Sequence, residues 1–97
     1  MRITFDPVKN ARNISERGLP FERVAELDWD AAVIDEDVRK DYGEHRFGVL
    51  AKMGHRVHAA VVTFRQDATH VISFRKANER EARYYVEESR RRGLDAG

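Results

Sequence analysis

Alternation of apolar and polar residues is clearest in the second half of the chain. Three runs, about 45–52, 56–65 and 69–75, read as strands because apolar positions recur every second residue. Met53-Gly54 and Gln66-Asp67-Ala68 are short enough for hairpin turns between them. Directly opposed residues share a face, so a trial register can be tested against the pattern. A two-residue turn at 53–54 sets Leu50 opposite Val57, Gly48 opposite Ala59 and Arg46 opposite Val61. A three-residue turn at 66–68 sets Arg65 opposite Thr69, Val61 opposite Ser73 and Ala59 opposite Arg75. One face then gathers Phe47, Val49, Ala51, Ala60, Val62, Phe64, Ile72 and Phe74, and is expected to be buried under helices. The other gathers Arg46, Gly48, Leu50, Ala59, Val61, Thr63, Arg65, Val71, Ser73 and Arg75. That is a floor of small and aliphatic residues carrying three arginines. A shift of one residue in either turn mixes the faces, so their segregation supports this register.

The first half reads differently. Residues 2–5 predict a short strand. Asp6-Pro7 opens a helix, since aspartate caps and proline suits the first helical position. Val8, Ala11 and Ile14 form its apolar stripe and Gly18 stops it. Pro20 opens a second short helix, with Phe21, Val24, Ala25 and Leu27 inward and Trp29 covering the core. Between Asp30 and Gly43 periodicity fades. The acidic run Asp35-Glu36-Asp37 predicts a solvated loop rather than a metal site, because three consecutive carboxylates do not converge on one ion without a special turn.

Residues 69–87, THVISFRKANEREARYYVE, organise the rest. A strand ends on Arg75-Lys76, and a helix starts directly after, with Asn78 as N-cap and Glu81 placed for a capping box. Arg80, Arg83 and Tyr84 lie near that start. Cations at a strand end facing a helix N-terminus make a candidate anion site. The competing reading is a solvated charged helix after an edge strand.

Composition narrows the classes. Ninety-seven residues suit one domain, 1–97. The absence of cysteine excludes disulfides and thiol chemistry. With no long apolar run, neither a signal peptide nor a membrane span is expected, and the cytoplasm is the default location. The net charge of +1 conceals an asymmetry: residues 21–44 are strongly acidic and 45–92 strongly basic. A basic surface suits a polyanion or an acidic protein, unless the acidic segment folds back to neutralise it.

The chemistry follows from the arginines. Guanidinium forks match phosphate oxygens and stay charged. The alternative is that each arginine pairs with a nearby carboxylate, Glu44, Asp67 or Glu79. His58 and His70 fall near the margins of the core face and read as structural. His45, beside Glu44 and Arg46, is the histidine kept as a candidate acid or base. No zinc spacing or nucleophile triad is present, and no cofactor is expected.

These residues resemble a family. ISFRKANEREARYY is similar to the "ISARKA…ERE…Y" ending of BrnT-type toxins. FDPVKNARN…GLPFERV is similar to their "WDPxKxxxNxxKHGxxFEEA" opening. GEHRFGVLAKMGHRVHAAVVTFR is similar to their "GExRxxxIGxxxGRxLxVVYTxR" middle. The three segments occur in the right order and cover nearly the whole chain. The resemblance implies an α+β fold related to RelE-type ribonucleases: a small antiparallel sheet, made of a three-stranded C-terminal meander and a short N-terminal strand, with two N-terminal helices and one C-terminal helix. It implies RNA cleavage that inhibits translation and neutralisation by a BrnA-type antitoxin with a ribbon-helix-helix part. In such a hetero-oligomer, operator DNA would be bound only through the antitoxin.

The positions matching the family are Lys9, Asn13, Glu44, Arg46, Arg65, Arg75, Lys76, Glu81 and Tyr84 or Tyr85. Glu16-Arg17 stand where the family has Lys-His, and His70 where it often has arginine. The trial register sets His70 on the face opposite Arg75. A metal-independent ribonuclease attacks phosphorus with the RNA's own 2′-hydroxyl, and needs a base, an acid and cations on the phosphoryl oxygens. Arg46, Arg65, Arg75 and Arg80 are the candidates for charge stabilisation, and Glu44, His45 and Tyr84 for proton transfer. Lys9, Lys76 and Arg83 are the candidates for RNA binding. The alternatives are a non-catalytic RNA-binding module and a basic protein-interaction domain.

Overall fold

The structure is a computed structural model and describes residues 1–94. The chain runs β1 (Arg2–Phe5), α1 (Pro7–Arg17), two 3-10 helices (Phe21–Glu26 and Trp29–Ala31), β2 (Val33–Asp37), β3 (Arg46–Met53), β4 (Arg56–Arg65), β5 (Ala68–Lys76) and α2 (Glu79–Arg91). The five strands form one sheet in the order β1-β5-β4-β3-β2. The α+β class and the C-terminal meander agree with the sequence reading, and two details do not. β1 lies parallel to β5, so the sheet is mixed rather than antiparallel. The acidic stretch read as a loop is the edge strand β2, paired antiparallel with β3 from Val33↔Leu50 to Asp37↔Arg46. Its charges hide the strand because only one flank is covered: Val33 is buried, while Ile34, Asp35 and Glu36 are exposed.

Capping residues act as the sequence suggests. The Asp6 carboxylate accepts from the N–H groups of Val8 and Lys9, and Gly18 closes α1 in the left-handed region at φ 68°. Asn78 and Glu81 form the reciprocal capping box of α2. The apolar stripe of α1, however, is reversed. Val8 is 69% exposed and Ile14 43%, while Asn13 is buried at 4%. The reason is an edge. β1 ends at Phe5, opposite Val71, so β5 beyond it lacks a strand partner on that side. There the Asn13 amide donates to the carbonyls of Phe74 (2.9 Å) and Leu19 (2.8 Å). A buried carbonyl needs a donor more than the helix needs an apolar face. The second helix is 3-10, with Phe21, Val24 and Leu27 buried but Ala25 exposed.

Register also differs. The β3–β4 turn is Gly54-His55, with Gly54 at φ 64°, and Met53 faces Arg56. Leu50 therefore opposes Ala59 and Gly48 opposes Val61, a slip of two residues that leaves the faces unchanged. The β4–β5 turn is Gln66-Asp67, with Arg65 opposite Ala68 rather than Thr69. A bulge at Val61/Val62 absorbs the difference, so Val61↔Ser73 and Ala59↔Arg75 hold as expected. Beyond the bulge the parity of β5 is inverted. Val71 joins Val62 in the core instead of the floor, and Ile72 is only half-buried. His70 pairs with Thr63 and so shares the face of Ser73 and Arg75, contrary to the sequence reading.

The sheet has a packed cluster on each face. Phe21, Val24, Val49, Val62, Val71 and Phe74 form the larger, under the 3-10 segment. On the other face Tyr85 and Ala82 of α2 pack on Val33, Leu50, Val57 and Ala77. Thus α2 covers part of the floor, not the expected core face. Phe64 keeps its predicted face but is 49% exposed, with its ring 5.4 Å from that of Phe47. No helix among the described residues is long and apolar enough to cross a membrane.

Candidate functional site

Where α2 stops short of covering the floor, a cleft of about 350 Å³ remains. Its floor is Gly48, Leu50, Ala59, Val61, Ser73 and Arg75, all six assigned to that face from the sequence. Glu81 and Tyr84 of α2 form one wall, and Asp35 and Arg39 the other. Arg75 is held in place by Glu81, with Nη1–Oε1 at 2.7 Å and Nη2–Oε2 at 2.9 Å. This bidentate pair lowers the Glu81 carboxyl and raises the Arg75 guanidinium from their ordinary pKa values. Glu81 also accepts from the Asn78 N–H at 3.0 Å, so the helix cap and the arginine share one carboxylate. A guanidinium carries five N–H donors; Nη1 also donates to the Lys76 carbonyl at 3.3 Å, and the Nε hydrogen with the second Nη2 hydrogen remains for a ligand.

Across the cleft the Tyr84 hydroxyl donates to Asp35 Oδ2 at 2.9 Å. That bond raises the phenol above its usual pKa, which keeps it protonated at neutral pH. The arrangement sets a fixed cation and a protonated hydroxyl over one apolar floor. Tyr85, the other tyrosine of the motif, is buried and donates to the Ala31 carbonyl, so it is structural.

The remaining candidates lie elsewhere. Arg65 pairs with Glu44 (3.1 Å), which lowers the Glu44 carboxyl. Arg46 lies over the Tyr42 ring, 4.3 Å from its centroid, with Nε buried and lacking a hydrogen-bond partner. His45 bonds Glu36 at 2.6 Å, and that bond raises its pKa. None of these four lines the cleft. Arg80 and Arg83 are exposed on α2, and Arg83 pairs with Glu79. Lys9 and Lys76 border smaller recesses on the α1 side of β5. The carboxylate pairing considered from the sequence thus occurs for Arg65 and, through Glu81, for Arg75.

The acidic strand folds onto the basic half. Asp35 binds Arg92 and Tyr84, Glu36 binds His45, and Asp37 binds Arg39 and Tyr42. No group of three or more His, Asp or Glu side chains among the described residues converges as a metal site. Sequence reasoning missed Asp35 and Arg39 as cleft walls: the strand carrying Asp35 reads as a loop, and Arg39 follows just after it. His70, read from the sequence as structural, does not line the cleft; its Nδ1 lies 2.9 Å from Thr4 Oγ1 and its pKa is lowered by burial and by Arg65.

A comparison with individually curated proteins gave no match. Residues 5–81, however, match the family described as "Ribonuclease toxin, BrnT, of type II toxin-antitoxin system". The match runs from the last residue of β1 to the first turn of α2, including the Arg75–Glu81 pair. On that extent of agreement the chain belongs to the BrnT family of ribonuclease toxins.

Proposed function

We propose that this protein cleaves RNA without a metal ion, by attack of the RNA's own 2′-hydroxyl on the adjacent phosphorus. The observation that carries the proposal is the Arg75 fork, fixed by Glu81 on an apolar floor and faced by the Tyr84 hydroxyl. In this reading Arg75 stabilises charge on the phosphoryl oxygens. Its position, fixed by Glu81, avoids reorganisation during the reaction. Tyr84 supplies the proton to the leaving 5′-oxygen, and the 2′-hydroxyl proton passes to solvent water as the new O–P bond forms. Glu44 and His45 do not line the cleft, whereas Tyr84 does, which supports Tyr84 over them.

The pairing of Arg65 and Arg75 with carboxylates favours a second reading, RNA binding without cleavage, because it lowers the positive charge that chemistry would use. Incubating RNA with the purified chain in EDTA separates the two. Cleavage ends carrying a 2′,3′-cyclic phosphate are expected, and intact RNA with measurable binding would leave the second reading. In cells the same activity arrests translation. The neutralising partner is a BrnA-type antitoxin whose ribbon-helix-helix part holds operator DNA, and it covers the cleft in the resting hetero-oligomer. A gel shift showing tight operator binding by this chain alone would count against that assembly.

A further inference from the structure

Among the cations without a carboxylate partner, Lys9, Arg12 and Arg17 lie together on α1, on the side of β5 away from the acidic strand. On α1, Lys9, Arg12, Asn13 and Arg17 follow one another at i, i+3, i+4 and i+8, which sets them on one helical face. Asn13 anchors that face to β5. With Ile72 and Ser73 they line a groove of about 160 Å³. This is below the range of small-molecule pockets and closer to the size of a single phosphate group. Lys9 and Arg12 make no side-chain bond among the described residues, and Arg17 bonds only the Asn13 amide oxygen (2.8 Å). Glu16, the one acid within α1, is absent from the lining.

This groove shares a lining residue with the cleft. Ser73 lines both. Arg75 lines the cleft and a further recess that it shares with Arg17, Leu19 and Lys76. Arg17 in turn lines that recess and the groove. Arg75 and Arg17 thus each border two neighbouring recesses between the cleft and α1.

We infer that the Arg12–Arg17 face of α1 is a phosphate-binding subsite that holds the backbone of single-stranded RNA extending from the cleft. The inference rests on the RNA-cleaving reading above. It also explains why α1 turns its polar face inward: a helix packed by Val8 and Ile14 would have turned these cations away from β5. Contacts of this kind add affinity without reading sequence, and they are salt-dependent.

The test uses fluorescent 2′-O-methyl RNA, which lacks the attacking hydroxyl, as probes of about four and about twelve nucleotides, the span of typical single-strand sites. Kd is measured against salt for wild type, Arg12→Ala/Arg17→Ala and Arg23→Ala. In wild type the longer probe is expected to bind at least tenfold tighter than the shorter. In the double variant that advantage is lost, and the salt slope falls by about 1.4, or about 0.7 per contact removed. Arg23, on the 3-10 segment and paired with Glu26, controls for general loss of charge and should keep both. Melting curves confirm folding, which both exposed α1 side chains permit. A double variant with the wild-type length advantage and slope overturns the subsite. Wild type that binds neither probe overturns the RNA reading itself, and the subsite with it.

Discussion

Replacing Arg75 with alanine separates a catalytic arginine from a structural one. If Arg75 stabilises the transition state, its loss should cut cleavage about a hundredfold or more, about 2.7 kcal/mol, the scale for one preorganised donor. The structural alternative is bounded by the ion pair with Glu81. The Arg75 side chain is 41% exposed and that of Glu81 26%, so solvent screens the pair. Pairs of that kind contribute about 1 kcal/mol at most. Glu81 keeps the Asn78 N–H as a donor, so the cap of α2 survives the substitution. The Tm should therefore fall by less than about 8 °C for a domain of this size. The assay is the initial cleavage rate per folded molecule, with the folded fraction from circular dichroism and Tm from a thermal melt of the same sample. Arg75→Lys keeps the charge but loses the bidentate fork, and should recover only part of the rate. Unchanged cleavage by folded Arg75→Ala refutes the assignment and shifts the role to Arg46 and Arg65.

Three further outcomes are expected. Tyr84→Phe removes the hydroxyl that bonds Asp35, and should lower cleavage about a hundredfold, as for loss of a general acid, with little change in Tm. An undiminished rate would exclude Tyr84 as the proton donor. Asn13→Leu leaves the Phe74 and Leu19 carbonyls without their donor and should destabilise by about 2–6 kcal/mol in urea unfolding, at about 1–3 per orphaned group; a loss under about 0.5 kcal/mol would show that water replaces the amide. Stability should decline as pH falls from about 7 to 5. His58 and His70 have pKa values depressed by burial, so the unfolded chain takes up protons first, and their contribution is lost as pH drops from the unfolded value through the folded one. His45 acts oppositely through Glu36, but that pair is exposed and screened. A Tm that rises on acidification, with His58→Asn and His70→Asn behaving as wild type, would contradict this.

Local signals carry information where one element suffices to express it. Asp6-Pro7, Gly18, Asn78 and Glu81 set helix ends through contacts within three or four residues, and all four act as the sequence suggests. Period-two alternation in β3 and β4 assigned the floor of the cleft correctly, and it survived a two-residue slip in register because side-chain parity is unchanged by an even shift. The resemblance identified the family, and Arg75 and Tyr84 fell on the cleft.

What failed depended on partners distant in the chain. Strand β2 exists because β3 offers its backbone to Val33–Asp37, whatever the propensity of an acidic run. The inward face of α1 is polar because β1 ends early and leaves β5 carbonyls to satisfy. The bulge at Val61/Val62 moved Val71 into the core and His70 onto the floor side, and a single inserted residue leaves no periodic trace. Above all, the tertiary fold decided which charges are neutralised. The sequence holds acidic and basic segments of comparable strength. Docking β2 beside β3 and α2 pairs Asp35 and Glu36 with Arg92 and His45, and leaves Lys9, Arg12 and Arg17 unopposed on the far side of β5. Charge composition is a property of the chain, but electrostatic potential depends on distance, and only the folded sheet sets those distances.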